Sequence, residues 1–237
     1  MSAIEAFVTN LGRYNEGYLG GEFLKLPATA EEVQALFQRI HVDGVRYEEI
    51  FITDYETDVS GLYDCLSEYA DLDELNYFAA LLDDLDEGDR EKFEAALSYG
   101  DYTGSLKDLI NLAQNLDCYE YYPGICDEDD LGRYMIGEMG SLEVPEYLQN
   151  YIDYEAYGRD VSLEDGGVFN GSGYIVSNGD SFIEQYNGRD DLLEESKIFA
   201  YPAPEKSIRD TLKQYQQMID TAPVSQKDRS TTSHDER

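Results

Sequence analysis

Apolar positions recur with two periods along this chain. Ile4, Ala6 and Val8 alternate with Glu5, Phe7 and Thr9, the spacing of a half-buried strand. Gly12, Asn15 and Gly17 mark a loop, and residues 20–26 return as a partner strand stopped by Pro27. Thr29 followed by Glu32 is a capping-box pair. It predicts a helix with Val33, Leu36, Phe37 and Ile40 on one face. Residues 47–55, rich in Ile, Phe, Thr and Tyr, predict a third strand.

The period then changes. Leu72, Leu75, Ala79, Leu82 and Leu85 fall at helical spacing, with Asp73, Glu74, Asp83, Asp84 and Asp86 between them. Phe93 and Leu97 mark a short second helix around Glu91 and Glu94. Leu106, Leu109, Ile110, Ala113 and Leu116 mark a third, with Ser105 placed as its N-cap. Helices this short and amphipathic hold only by packing on one another.

Alternation resumes at 118–122, a strand ended by Pro123-Gly124. The acids at 127–130 open a helix that carries Leu131, Tyr134, Met135 and Met139 inward and stops at Gly140. Residues 145–160 read as helical and Tyr-rich. Residues 173–177, then Asn178-Gly179, then 180–186 form a hairpin signal, because Asn-Gly suits a tight type I′ turn. A helix is expected near 207–219, and 225–237 is polar enough to be disordered. The pattern predicts an α+β chain of three small domains: mixed sheet and helix (1–58), acidic and helical (59–116), mixed again (117–188). An extension over 189–237 follows.

Charge sharpens this division. The 237 residues include 17 Lys and Arg against 51 Asp and Glu, a net charge of −34. Residues 41–160 hold 6 basic and 32 acidic side chains, net −26, whereas 201–237 are neutral. So acidic a chain does not hold nucleic acid through its own surface, nor does it dock on anionic lipid. Aromatics at 13%, with 21 Tyr, separate it from disordered acidic tails.

No apolar run approaches the ~18 residues of a membrane span, and the N-terminus lacks the basic start and apolar core of a signal peptide. Cys65, Cys118 and Cys126 are an odd number without a CxxC pair, which points to a reduced, cytoplasmic setting. His41 and His234 are the only histidines, too few and too far apart for a Cys/His zinc site. EF-hand registers on Gly88 or Gly132 put Leu85 or Leu131 in a ligand position. No GxSxG occurs, and Gly171-Ser172-Gly173 reads as a turn. The expectation is a non-enzyme without cofactor or metal. Carboxylate pairs are so abundant that they single out no hydrolase site, although that reading stays open.

The remaining chemistry is an acidic surface on a folded frame, able to stand in for phosphates. The candidate positions are Asp71, Asp73, Glu74, Asp83, Asp84, Asp86, Glu87, Asp89, Glu91, Glu94, Asp101, Asp108, Asp117, Glu120, Asp127, Glu128, Asp129 and Asp130. Two chains would carry −68, which at about one charge per 1.7 Å matches about 115 Å of duplex, or roughly 34 base pairs. An elongated dimer could display that; a compact monomer could not. The alternative is an acidic module for some other basic DNA-binding protein.

Three stretches resemble one family. Residues 148–160, LQNYIDYEAYGRD, are similar to the YIDYEAYGRD signature of the ArdA antirestriction proteins of plasmids and conjugative transposons. Residues 10–17, NLGRYNEG, resemble the family's opening, and 52–56, ITDYE, resemble its first-domain strand. Residues 72–85 are similar to its acidic helical stretch. The resemblance covers about 4–186 and leaves 187–237 outside.

It implies an elongated homodimer of three small domains joined through the third. It implies mimicry of bent B-form DNA in the groove of a type I restriction-modification enzyme, with the methyltransferase core and its specificity subunit as the contact. Signature residues Tyr151, Asp153, Tyr154, Tyr157, Gly158, Arg159 and Asp160 are then core, dimer interface or both.

Overall fold

The structure, a computed structural model, describes residues 3–203, and all elements below lie within the compact unit Met1–Pro202. The helix expected at 207–219 and the polar end at 225–237 lie outside the described residues. The protein is α+β, with two three-stranded antiparallel sheets.

In the first sheet β1 (Ile4–Asn10) is central, between β2 (Gly21–Leu26) and β3 (Ile50–Thr57). The expected loop after β1 contains a short helix, α1 (Leu11–Asn15), because Asn10 caps it by accepting the Arg13 amide at 3.0 Å. Helix α2 (Ala30–Arg39) has the capping box at Thr29 and Glu32 and buries Val33, Leu36 and Phe37. The third strand starts at Ile50 rather than Tyr47. The Asp43 carboxylate takes the amides of Val45, Arg46 and Tyr47 at 2.8–3.0 Å and curls them into a turn. Those donors, Tyr47 first, hold the Asp43 carboxyl below the usual carboxylate range.

The middle is three helices: α3 (Leu72–Asp84), α4 (Glu87–Tyr99) and α5 (Leu106–Ala113). Asp71, Asp86 and Ser105 cap them. Helix α4 is 13 residues long, not short, since Asp86 caps it about two turns before the first apolar position, Phe93. Leu116 lies beyond α5 in a 3-10 turn, still buried.

The second sheet has β6 (Gly173–Ser177) at its centre, between β4 (Tyr119–Pro123) and the two-residue β5 (Val168–Phe169). Alternation along β6 sends Ile175 to the main core and Tyr174 and Val176 to a smaller one. That smaller core holds Leu131 of α6 (Glu128–Gly137) and Val161 of α7 (Tyr154–Asp165). Met139 does not turn inward: α6 ends at Gly137, short of the expected Gly140, and Met139 is 56% exposed. The 145–160 stretch divides into a 3-10 turn (Glu146–Tyr151) and α7. The main core is continuous from Ile4 of the first sheet through α3, α4 and α5 to Ile175, and so crosses residues 58 and 116.

The expected hairpin does not form. Strand β6 already pairs on both edges, with β4 and β5, so the chain after Asn178-Gly179 has no ladder to join. It runs instead along α5, where two buried asparagines supply the missing ladder. Asn115 accepts the Ile183 amide and donates to the Ile183 carbonyl, both at 3.0 Å. Asn111 accepts the amides of Gln185 and Tyr186 at 2.8 and 3.0 Å and donates to the Tyr186 carbonyl at 2.8 Å. Each buried amide left without such a partner would cost about 1–3 kcal/mol.

Candidate anionic interaction surface

The acidic positions expected at the surface fall into three groups. The first is engaged in building the fold. Asp71, Asp86 and Asp127 are N-caps. A side-chain oxygen there satisfies an otherwise orphaned helix amide. Asp108 accepts from Ser105 Oγ at 2.7 Å, and Asp130 from the Cys126 amide at 3.2 Å. Asp129 pairs with Arg133 at 2.6 Å, and Glu94 lies 3.9 Å from Arg90, which also binds Asp58. Glu74 accepts from the Tyr186 hydroxyl at 2.7 Å. Burial, and then that hydrogen bond, push the Tyr186 phenol far above its ordinary range.

The second group has one member and departs from the expectation. Asp73 is fully buried. Its carboxylate accepts the amides of Ile198 and Phe199 at 2.6 and 2.7 Å and binds the Arg189 guanidinium at 2.6–2.8 Å. A carboxylate leaves water only where charge and hydrogen bonds replace it. Helical spacing placed Asp73 outside the apolar stripe, which holds for α3 alone. The segment that covers it arrives from more than a hundred residues away. The sequence pattern places that segment in an extension beyond the third domain, yet Leu192 and Ile198 are buried in the main core.

The third group is free. Asp83, Asp84, Glu87, Asp89, Glu91, Asp101, Asp117 and Glu120 are exposed, and among the described residues their carboxylates have neither hydrogen bond nor ion pair. Glu128 is half-buried and also unengaged. Five of them, from Asp83 to Glu91, sit where α3 ends and α4 begins, two helices whose other faces lie in one core. Glu91 and Glu94 also line a groove between α4 and the second sheet, with Ser60, Ser98, Tyr121 and Asn170. The arrangement offers negative charge fixed on two packed helices. Among the described residues no cluster of His, Cys, Asp and Glu is placed to hold a metal. No described helix is long and apolar enough to cross a membrane.

The signature stretch divides as well. Asp153 caps α7 by accepting the Ala156 amide at 3.0 Å. Tyr154 lies under the Arg133 guanidinium, 4.4 Å from its ring centroid, and the Tyr157 hydroxyl meets Ser141 Oγ at 2.9 Å. Gly158 is buried where α7 crosses α6 at Gly132. An added Cβ at Gly158 would run into the Glu128 carbonyl oxygen, and one at Gly132 into that of Tyr154. Tyr151, Arg159 and Asp160 are exposed, and the Arg159 guanidinium has no ion pair among the described residues. The core role thus belongs to Gly158, with Tyr154 and Tyr157 half-buried beside it.

No curated protein matches the chain. A family model described as an antirestriction protein, ArdA, matches residues 6–176. The match spans both sheets and α1 to α7 and includes the Gly132–Gly158 crossing and all the free carboxylates. With most of its length inside that model, the chain belongs to the ArdA family of antirestriction proteins.

Proposed function

We propose that this antirestriction protein is a decoy for duplex DNA. Its free carboxylates stand where phosphates would, and it occupies the DNA groove of a type I restriction-modification enzyme, contacting the methyltransferase core with its specificity subunit. The observation that carries the reading is the set of five unengaged carboxylates, Asp83, Asp84, Glu87, Asp89 and Glu91, on two helices anchored in one core. Proteins that bind DNA present Lys and Arg to phosphate. The same cations accept a carboxylate, but only one not already satisfied within its own protein. A rigid frame matters because ordering a flexible acidic tail would cost entropy at binding.

The deciding experiment titrates the full-length protein into a cleavage reaction of a type I enzyme on unmodified DNA. The expected result is dose-dependent protection that weakens as salt rises past ~0.1 M, where charges are screened within about 10 Å. Absence of protection would move the reading to an acidic module for another basic DNA-binding protein.

The decoy reading includes a homodimer, extended through the successive segments 1–58, 59–116 and 117–188. The face proposed for the second copy carries Tyr147 (77% exposed), Tyr151 (84%), Leu163 (76%), Met139 and Leu142. Exposed apolar side chains mark interaction surfaces when they gather on one face, and the exposed Arg159, without an ion pair among the described residues, belongs to the same part of the chain. At micromolar concentration the protein should sediment as a dimer. The double variant Tyr147→Asp, Tyr151→Asp should sediment as a monomer with unchanged helix content. A variant that stays dimeric would move the interface elsewhere.

A further inference from the structure

Residues 187–203 lie beyond the region matched by the family model, and they have no ladder of their own. Their backbone makes only local turns, such as Leu192 to Arg189 and Ser196 to Leu193. Side chains set their course. At one end Arg189 and the amides of Ile198 and Phe199 converge on the buried Asp73 of α3. At the other end the Phe199 ring packs edge-on against Phe37 of α2, centroids 5.2 Å apart. Tyr201 follows, covering Gly44 and donating its hydroxyl to the Glu48 carbonyl at 2.9 Å. One strap therefore grips the acidic helix α3 and the outer layer of the first sheet. A second link between the same two parts is the Ala28 amide, 2.7 Å from Asn76 Oδ1 on α3.

We propose that residues 187–201 are a clamp that fixes the first sheet and α2 against the acidic helices, with Asp73 as its lock. The proposal rests on the decoy reading only for its consequence: the clamp holds the free carboxylates of α3 and α4 at a constant spacing from the first segment. An acid on α3 is thus spent on geometry rather than display. Burying a charge in this way is a means of specifying one arrangement over its alternatives. A passive tail lying on the surface would need neither a buried carboxylate nor two aromatic contacts on a different element.

The test uses full-length protein with Arg189→Gln, which removes the guanidinium from a half-exposed position, and separately Phe199→Ala with Tyr201→Ala, which releases the other end. Amide hydrogen exchange is followed residue by residue. Both variants should speed exchange of the Ile198 and Phe199 amides by tenfold or more. They should also speed exchange of the Ala28 amide, whose hydrogen-bond partner is Asn76 and not the strap, by several-fold, with the β4–β6 ladder amides unchanged.

Protection of DNA should weaken several-fold in both variants. An unchanged Ala28 amide beside a freed strap would overturn the clamp, as would a wild-type strap that exchanges as fast as an open loop. Failure of the wild type to protect DNA at all would instead remove the decoy reading, and the exchange pattern would still decide the clamp.

Discussion

Gly158→Ala is expected to lower the melting temperature by about 6–12 °C. The added Cβ would overlap the Glu128 carbonyl oxygen and come within 2.7 Å of the Gly132 nitrogen. Both obstacles are backbone of α6, so no side chain can swing aside. Helices α6 and α7 would have to separate, disturbing the stack of Arg133 on Tyr154 and the contacts of Leu131 and Val161. Overpacking of this kind costs about 1–3 kcal/mol, and the rigid obstacle puts Gly158 at the upper end. For a chain of this size each kcal/mol moves the midpoint by about 2–4 °C.

Gly137→Ala is the control. It lies at the end of α6, the partner helix in the crossing, and nothing stands within 4 Å of its added Cβ. It should melt at or slightly above the wild-type temperature, since Ala favours helix over Gly by up to about 1 kcal/mol. Calorimetry on the two variants decides the matter. Equal midpoints for both would mean that the two helices are not held at contact distance.

The second large effect concerns inhibition rather than stability. Changing Asp83, Asp84, Glu87, Asp89 and Glu91 together to their amides should raise the concentration needed for half-protection by about 30- to 100-fold. Exposed charge contacts contribute up to about 1 kcal/mol each, and about 1.4 kcal/mol is a factor of ten. The fold should survive because none of the five carboxylates holds another group. Loss of Glu87 and Asp89 weakens the favourable first turn of α4, while loss of Asp83 and Asp84 relieves the unfavourable last turn of α3.

Single changes within the set should each be nearly silent. A hydrolase would behave in the opposite way, losing everything with one or two carboxylates and nothing with the rest. Protection that collapses at one particular substitution, or persists through all five, would exclude distributed mimicry. Asp73 is left out of the set because it lies inside the protein; changing it would test the clamp and not the surface.

The line between what was legible and what was not follows the reach of the interactions. Helix starts at Thr29, Ser105 and Asp127 could be read from the chain because a cap and the amide it satisfies lie three residues apart. The apolar faces of α2, α3 and α5 could be read from spacing alone, and the family from runs such as 148–160. The concentration of charge in residues 41–160 needed only counting.

The roles of individual acids could not be read in this way, because a carboxylate's role depends on who covers it. Asp73 and Asp83 look alike along α3, yet one is met by Arg189, Ile198 and Phe199, which lie 116 to 126 residues away, and the other by solvent. Residues 180–186 carry a strand pattern, but whether a strand forms depends on a free ladder edge, and β5 had already taken it. Local patterns therefore determined the elements, the acidity and the family. Only tertiary packing, through contacts remote in sequence, decided which acids are exposed, which glycine is a crossing point, and that the segment after residue 187 is part of the folded body.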